Sequence, residues 1–124
     1  MDRQQALVVR MYEDFNARQI DGVLAALASD VAWANGMDGG HVHGHAALRQ
    51  YWTQQWAQIS PHVQPVRFAQ AADGALVVTV MQTVRDLAGQ PLQDQAHGLH
   101  DRLVRHVFTF AGDQVVRFDI EDAA

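Results

Sequence analysis

The chain has 124 residues, of which 48% are apolar and 19% charged, as is usual for a single globular domain. Its formal net charge is −5 and all nine of its Lys and Arg residues are arginine, which argues against nucleic acid or an anionic membrane as a partner. The chain has no cysteine and therefore can form no disulfide. It shows neither a signal-like start nor a long apolar run, so we expect a soluble cytoplasmic protein.

Two helices are predicted at the beginning of the chain. Leu7, Met11 and Phe15 recur at four-residue spacing, which predicts an amphipathic helix over roughly residues 2–18. A second apolar series begins just after Asp21 and fits a short helix with that aspartate near its start.

A strand, a glycine-rich segment and a third helix follow. The second helix is expected to end at Ser29-Asp30, and residues 31–35 predict a short strand. Residues 36–44 contain four glycines and are interpreted as a loop or a bulged extension of that strand. A third helix is predicted from about His45, and Pro61 stops it.

The second half of the chain has the pattern of strands. The predicted strands span residues 63–72, 75–85, 99–110 and 115–120. Turn sequences such as Asp73-Gly74 separate them and indicate hairpins, so we expect an antiparallel sheet. Pro65 cannot donate to a ladder, which places its strand at an edge or introduces a bulge. Helices followed by hairpin strands predict an α+β domain over residues 1–124.

Three stretches of the sequence resemble a known family. They run from Asn16 to Trp33, from Gly44 to Trp52, and from His106 to Phe110 with Gln114 to Asp119. In this order they resemble the SnoaL-like branch of the nuclear transport factor 2-like superfamily. The resemblance implies a cone in which three helices close a strongly curved antiparallel sheet around a deep, mostly apolar pocket, commonly in a dimer. The superfamily includes ketosteroid isomerases, polyketide cyclases, small epoxide hydrolases, dehydratases and binding proteins without chemistry, so the fold leaves the function open.

Comparison with the ketosteroid isomerases exposes differences at the site. Those enzymes have a general-base aspartate at the end of the first strand, and a tyrosine and a protonated aspartic acid that bind the oxyanion. Aligned without gaps, Asn35 takes the place of the base, while Met11, with Tyr12 beside it, and His106 match the oxyanion-binding positions. Because an amide cannot accept a proton, the resemblance argues against that mechanism. A gap in the glycine-rich loop would bring Asp38 to the base position instead.

Asp38 and His106 are the candidate acid–base residues. In a pocket, the Asp38 carboxyl would have a raised pKa and could act as a base, although aspartate before Gly39 is also ordinary turn chemistry. Alternation along the strand puts His106 on one face with Val104 and Phe108, and the resemblance turns that face toward the pocket. The alternative for His106 is an imidazole hydrogen-bonded within the core.

Further residues are candidates for ligand binding. Asn35 and Tyr12 carry groups that would orient a carbonyl or hydroxyl group of a ligand. The aromatic candidates for the pocket wall are Phe15, Trp33, Trp52, Trp56 and Phe108. Aromatic residues of this kind are most often part of the core, and only some of them can line a cavity as well.

The histidines of the glycine-rich segment are also candidates for metal ligands. His41 and His43 lie on one side of an extended segment, with His45 close behind. No acidic or thiol ligand is near them in sequence, and His45 stands where a helix begins. We therefore expect no metal and no other cofactor.

Two functions of different classes remain open at this point. The first is an enzyme, such as an isomerase, cyclase, dehydratase or hydrolase, that uses acid–base chemistry on a small hydrophobic ligand with a carbonyl or hydroxyl group. The second is a protein that binds or sequesters a hydrophobic metabolite without converting it.

Apolar residues on both faces of the sheet predict a homodimer. In the strand over residues 75–85 the outer face carries Val77 and Met81, and in the next long strand it carries Leu99, Leu103 and Val107. Helices on one side leave the other apolar face uncovered. A second copy of the chain is the simplest cover.

Overall fold

The computed structural model describes residues 2–91 and 101–122, with three helices and a six-stranded sheet. The helices are α1 (Arg3–Asn16), α2 (Ile20–Leu24) and α3 (His45–Trp56). The strands are β1 (Leu27–Ala34), β2 (His41–His43), β3 (Ser60–Gln70), β4 (Leu76–Arg85), β5 (Arg102–Ala111) and β6 (Gln114–Asp122). The predicted α+β class is confirmed. The predicted start of the fifth strand at residues 99–100 lies outside the described residues.

The sheet is mixed and open, so the expectation of an antiparallel sheet is wrong for one pair of strands. Its strand order is β2-β1-β6-β5-β4-β3. β1 pairs in parallel with β6, placing Trp33 beside Phe118, whereas all the other pairs are antiparallel. Parallel neighbours need a long crossover, and here the intervening chain forms α3 and the four strands β2 to β5. The edge strands β2 and β3 do not pair with each other.

Strand β3 confirms the prediction made for Pro65. β3 is an edge strand, and its register against β4 shifts between Pro65 and Arg67. Proline lacks the N–H group that a ladder requires, and the edge position and the register shift both accommodate it. Val66, which lies between these two residues, is 59% exposed.

The chain between α2 and α3 is more extended than predicted. β1 begins at Leu27, four residues before the predicted strand, because Leu27 pairs with Val115 and the N–H of Val115 donates to the carbonyl of Ala26 at 2.9 Å. The glycine-rich segment forms the separate strand β2, which pairs with β1 through a turn containing Gly39 and Gly40 at φ values of 80° and 70°. Only glycine adopts such angles without steric cost.

The core lies between the helices and one face of the sheet, here called the inner face. Alternation in β4 and β5 buries Val78, Val80, Val104 and Phe108 completely on that face. The helices supply further apolar side chains, including the buried Val8 of α1. None of the helices in the described part of the chain has the length and hydropathy that a membrane crossing requires.

The end of α1 is fastened to the start of β3. Asn16 exchanges two hydrogen bonds with the backbone of Val63, at 2.8 and 3.0 Å. Arg18 has a φ of 62° and donates to the carbonyls of Phe15 and Pro61 at 3.1 and 2.7 Å and to Oγ of Ser60 at 3.0 Å. These contacts hold the helix against the edge strand.

Candidate functional site

A mostly apolar cavity lies between α1, α3 and the inner face of the sheet. The cavity has a volume of about 60 Å³, counted as the space that the centre of a water molecule can occupy. A single water molecule needs only about 10–15 Å³ counted in this way, so the cavity has room for more than one. The apolar lining includes Met11, Phe15, Val23, Trp33, Trp52, Val63, Phe118 and Ile120. The polar side chains in the lining are Tyr12, Tyr51, Gln55, Gln82 and His106. The described lining contains no Asp, Glu, Arg or Lys.

Tyr12 and His106 form a buried hydrogen-bonded pair in the wall of this cavity. Oη of Tyr12 lies 2.8 Å from Nδ1 of His106, and the two side chains are 4% and 5% exposed. The helical repeat of α1 turns Tyr12 inward, and the alternation of β5 places His106 between two fully buried residues, Val104 and Phe108. The ring of Phe118 lies edge-on to the imidazole, with 4.7 Å between ring centroids.

Burial keeps both members of the pair uncharged. It lowers the pKa of His106 to about 3 and raises the pKa of Tyr12 well above its ordinary value. Two neutral groups carry two polar hydrogens between them, one on the phenol and one on the imidazole. One hydrogen occupies the bond between the two residues. The other remains available for donation, from Nε2 of His106 or from Oη of Tyr12 according to the tautomer.

A second polar group is formed by Tyr51 and Gln55 on α3. Oη of Tyr51 accepts the backbone N–H of Gly36 and Nε2 of Gln55, each at 3.1 Å. Burial, with a contribution from the charge of Asp38, raises the pKa of Tyr51 although its hydrogen bonds oppose the rise. The hydroxyl therefore keeps its proton at neutral pH.

Aromatic rings build the walls around these polar groups. Trp33 stacks on Phe118 with 3.9 Å between centroids and meets Trp52 edge-on at 5.4 Å. Phe15 meets Trp52 edge-on at 6.1 Å. Of the aromatic candidates, Phe15, Trp33 and Trp52 line the cavity.

The remaining two aromatic candidates lie behind the lining. Trp56 stacks on Trp52 with 6.0 Å between centroids, and the guanidinium of Arg18 lies 5.1 Å from its ring. Phe108 is fully buried and contacts the ring of Tyr12 edge-on. Both residues support the cavity wall without lining it.

The structure places Asn35 and Asp38 in the turn between β1 and β2, outside the cavity lining. Oδ1 of Asn35 accepts the backbone N–H groups of Met37 and Asp38 at 2.9 and 2.8 Å, so its carboxamide organises the turn. Asp38 is exposed. Its negative charge contributes to the raised pKa of Tyr51, which does line the cavity. These two candidates therefore do not meet Tyr12 and His106.

The three histidines of the glycine-rich segment have separate surroundings. Nε2 of His41 lies 2.7 Å from Oδ1 of Asp119 on β6, and Nε2 of His45 lies 2.9 Å from the carbonyl of Leu27. His43 is exposed. Within the residues described, no three side chains of the types that bind metals converge.

Three polar lining residues are absent from the sequence-based candidates. Gln82 is 3% exposed and interrupts the apolar alternation of β4 between Val80 and Val84. Gln55 is likewise 3% exposed and continues the inward stripe of α3. A polar residue at a position that the period assigns to the core is a detectable signal, and it is the same signal that identifies His106. Tyr51 carries no such signal, because a tyrosine in the apolar stripe of a helix is common in cores.

Comparison with known proteins gives one family model and many solved structures. The model of the SnoaL-like domain matches residues 8–118. No significant match is found among curated proteins. An NTF2-like protein of unknown function from Burkholderia pseudomallei is 28% identical, with a TM-score of 0.78 over 98% of this chain and 92% of the other.

Two further structures share the fold at lower identity. TerC, co-crystallised with polyporic acid, is 21% identical with a TM-score of 0.76 over 96% of this chain and 90% of its own. A candidate polyketide cyclase from Sinorhizobium meliloti is 14% identical with a TM-score of 0.73 over 98% of this chain and 100% of the other.

Proposed function

The chain belongs to the SnoaL-like domain family, and from this premise we propose that it binds an uncharged, largely apolar small molecule through a carbonyl or hydroxyl oxygen. The observation that carries the proposal is the neutral Tyr12–His106 pair in the wall of an apolar cavity. One hydrogen of the pair is free for donation, and a carbonyl or hydroxyl oxygen of a ligand is the matching acceptor.

The electrostatics of the cavity favour an uncharged ligand. The described lining has no ionised side chain to compensate a ligand charge, and an uncompensated charge in an apolar site is costly. His106, with a pKa lowered to about 3 by burial, stays neutral at pH 7. Apolar and aromatic residues form most of the remaining lining, and its other polar side chains, Tyr51, Gln55 and Gln82, are uncharged. Crystallisation of TerC with polyporic acid is consistent with a ligand site in this fold.

Mass spectrometry of material that co-purifies with the protein tests the proposal. We expect a small neutral compound with at least one carbonyl or hydroxyl oxygen, released on denaturation. The His106→Phe variant should carry less of it, because the ring volume is retained and the polar group is lost. Recovery of a carboxylate or phosphate compound, dependent on His106, would contradict the proposal.

A catalytic role for the same pair is the second candidate function. A neutral imidazole that donates a hydrogen bond can polarise a carbonyl, as it does in triosephosphate isomerase. Such an enzyme also needs a base, and Asp38, which is exposed in the turn outside the cavity lining, would have to reach the ligand from there. Under this second proposal Asp38→Asn abolishes turnover of the co-purified compound and leaves its affinity unchanged. If the pair is not catalytic, neither wild type nor the Asp38→Asn variant should convert the compound.

We also propose that two copies of the chain associate through the outer face of the sheet. Met81 and Leu103 are directly paired across β4 and β5, and they are 39% and 44% exposed. Arg105 and Glu121 are paired beside them with opposite charges. A two-fold axis through this surface would match apolar with apolar groups and each charge with its opposite.

A further inference from the structure

The turn between β1 and β2 forms part of the cavity wall. Gly36 lines the cavity, whereas Asp38, two residues farther along, is exposed to solvent. At this point the wall between cavity and solvent is therefore one peptide chain thick. Asn35 organises the turn, because its Oδ1 accepts two backbone N–H groups and its own N–H donates to the carbonyl of Gly40 at 2.9 Å. Residues 35–40, here called the β1–β2 turn, thus form a compact unit.

Met37 attaches the β1–β2 turn to the opposite side of the sheet. Its side chain packs against Ile59 and Val84, which form a small buried apolar cluster separate from the main core. Ile59 directly precedes β3, and Val84 lies in β4. In the sheet, β6 and β5 separate β1 from β4. The side chain of Met37 therefore joins two sides of the sheet that no strand pairing connects.

The cluster around Met37 lies one layer outside the cavity lining. Gln82 lines the cavity, and Val84 is the next residue on the same face of β4. Pro61 also lines the cavity, and Ile59 stands two residues before it. Because β3 and β4 are antiparallel, both steps lead toward the same end of the sheet. The contact of Met37 with this cluster therefore covers that end of the cavity.

A hydrogen bond provides a second attachment of the β1–β2 turn. The backbone N–H of Gly36 donates to Oη of Tyr51 on α3 at 3.1 Å. This bond and the apolar contact of Met37 can separate while the main core, to which Met37 does not belong, remains packed. Local opening of this kind requires less free energy than unfolding of the whole domain.

We propose that the β1–β2 turn is a lid through which a ligand enters and leaves the cavity, and that the contacts of Met37 keep it closed. Detachment of Met37 from Ile59 and Val84, with loss of the hydrogen bond to α3, opens this end of the cavity. Met37 is not among the described lining residues, so it controls the rate of ligand exchange more than the affinity. The nature of the ligand rests on the proposed function, whereas the lid is tested without a ligand.

A single cysteine in the cavity lining reports how often the lid opens. The chain has no cysteine, so Val63→Cys introduces one thiol into the lining. Methyl methanethiosulfonate, a small neutral reagent, should modify this thiol about tenfold faster when Met37→Ala is added, since a partly buried apolar contact is then lost. Val66→Ala shortens an exposed apolar side chain, and as the matched control it should leave the rate unchanged.

A second cysteine position separates opening of the lid from general destabilisation. Val80 is fully buried and is not among the described lining residues, so Val80→Cys reports opening of the core. Met37→Ala should leave its modification rate unchanged, and equal acceleration at both positions would overturn the lid. Modification of Val63→Cys at a rate independent of Met37 places the entrance elsewhere and also overturns it. Ile120→Cys, also in the lining, provides the same measurement if Val63→Cys does not fold. A protein that binds no ligand contradicts the proposed function and leaves these rates interpretable.

Discussion

The hydroxyl of Tyr12 lies 2.8 Å from Nδ1 of His106, although 94 positions separate the two residues in sequence. The bond joins the first helix to the fifth strand through two buried side chains. It fixes the orientation of the imidazole, and it leaves one hydrogen of the pair for a ligand. The same contact therefore contributes to stability and prepares a recognition site.

His106→Phe should destabilise the protein by about 1–3 kcal/mol, because it leaves the hydroxyl of Tyr12 buried without a partner. The double variant with Tyr12→Phe should recover most of this loss, since both polar groups are then absent. Urea unfolding of the two single variants and the double variant gives the coupling free energy. Additive effects of the two substitutions would contradict a direct interaction.

Acid should destabilise the folded protein through His106. The unfolded chain protonates this imidazole near its ordinary pKa of 6.5, whereas burial lowers the pKa in the folded protein to about 3. Between these values the unfolded state binds more protons, so stability is fully present above about pH 6.5 and falls as the pH is lowered toward 3. The slope due to this residue approaches about 1.4 kcal/mol per pH unit.

Urea unfolding at several pH values measures that slope. The double variant His106→Phe with Tyr12→Phe should show a shallower dependence on pH than wild type. His62→Gln, which replaces an exposed histidine, serves as the control and should behave as wild type. Equal slopes in wild type and the double variant would mean that His106 is not the responsible group.

Arg18→Ala should cost about 1–3 kcal/mol, because three hydrogen bonds from a partly buried guanidinium to β3 and the end of α1 are lost. Alanine has the same Cβ and suffers the same strain at a φ of 62°, so the difference reports the side-chain contacts. Arg10→Ala, at an exposed position of α1, should change stability by less than about 0.5 kcal/mol. Thermal unfolding of both variants makes the comparison, and equal melting temperatures would exclude the proposed fastening.

Leu103→Glu and Met81→Glu should each dissociate the proposed homodimer, because a carboxylate would be buried against an apolar partner surface. Light scattering at micromolar concentration measures the mass. Leu87→Glu changes a residue that is 61% exposed in the connection after β4, and it should leave the mass unchanged. A monomer mass for wild type would refute the dimer.

Local patterns in the sequence predict most of the elements and part of the site. Alternation puts His106 on one face of its strand with Val104 and Phe108, and the resemblance to the SnoaL-like family turns that face toward the pocket and makes Tyr12 a candidate for its lining. The parallel pairing of β1 with β6 was not predicted, because nothing in the sequence of either strand identifies its partner. The prediction of a helix at Leu27 is wrong for a related reason, since its strand geometry depends on the distant Val115.

The errors at the turn and on α3 have a different origin. Asn35 aligns with a catalytic position, but the short-range geometry of an asparagine before glycines determines its role as a turn former. Gln55 is overlooked because a stripe of Leu48 and Trp52 favours an apolar interpretation of the whole helix face. Its place in the cavity lining becomes visible only when the surrounding atoms are in place.

The position of β6 between β1 and β5 has a consequence for synthesis of the protein on the ribosome. Until β6 has emerged, β1 has only the three-residue β2 as a strand partner. Without β6, the β2-β1 pair is separated from the β5-β4-β3 part of the sheet, so the nascent chain carries exposed apolar surface until β6 has been translated. A chain arrested before Gln114 should therefore be bound by chaperones, whereas release of nine further residues allows the sheet to join.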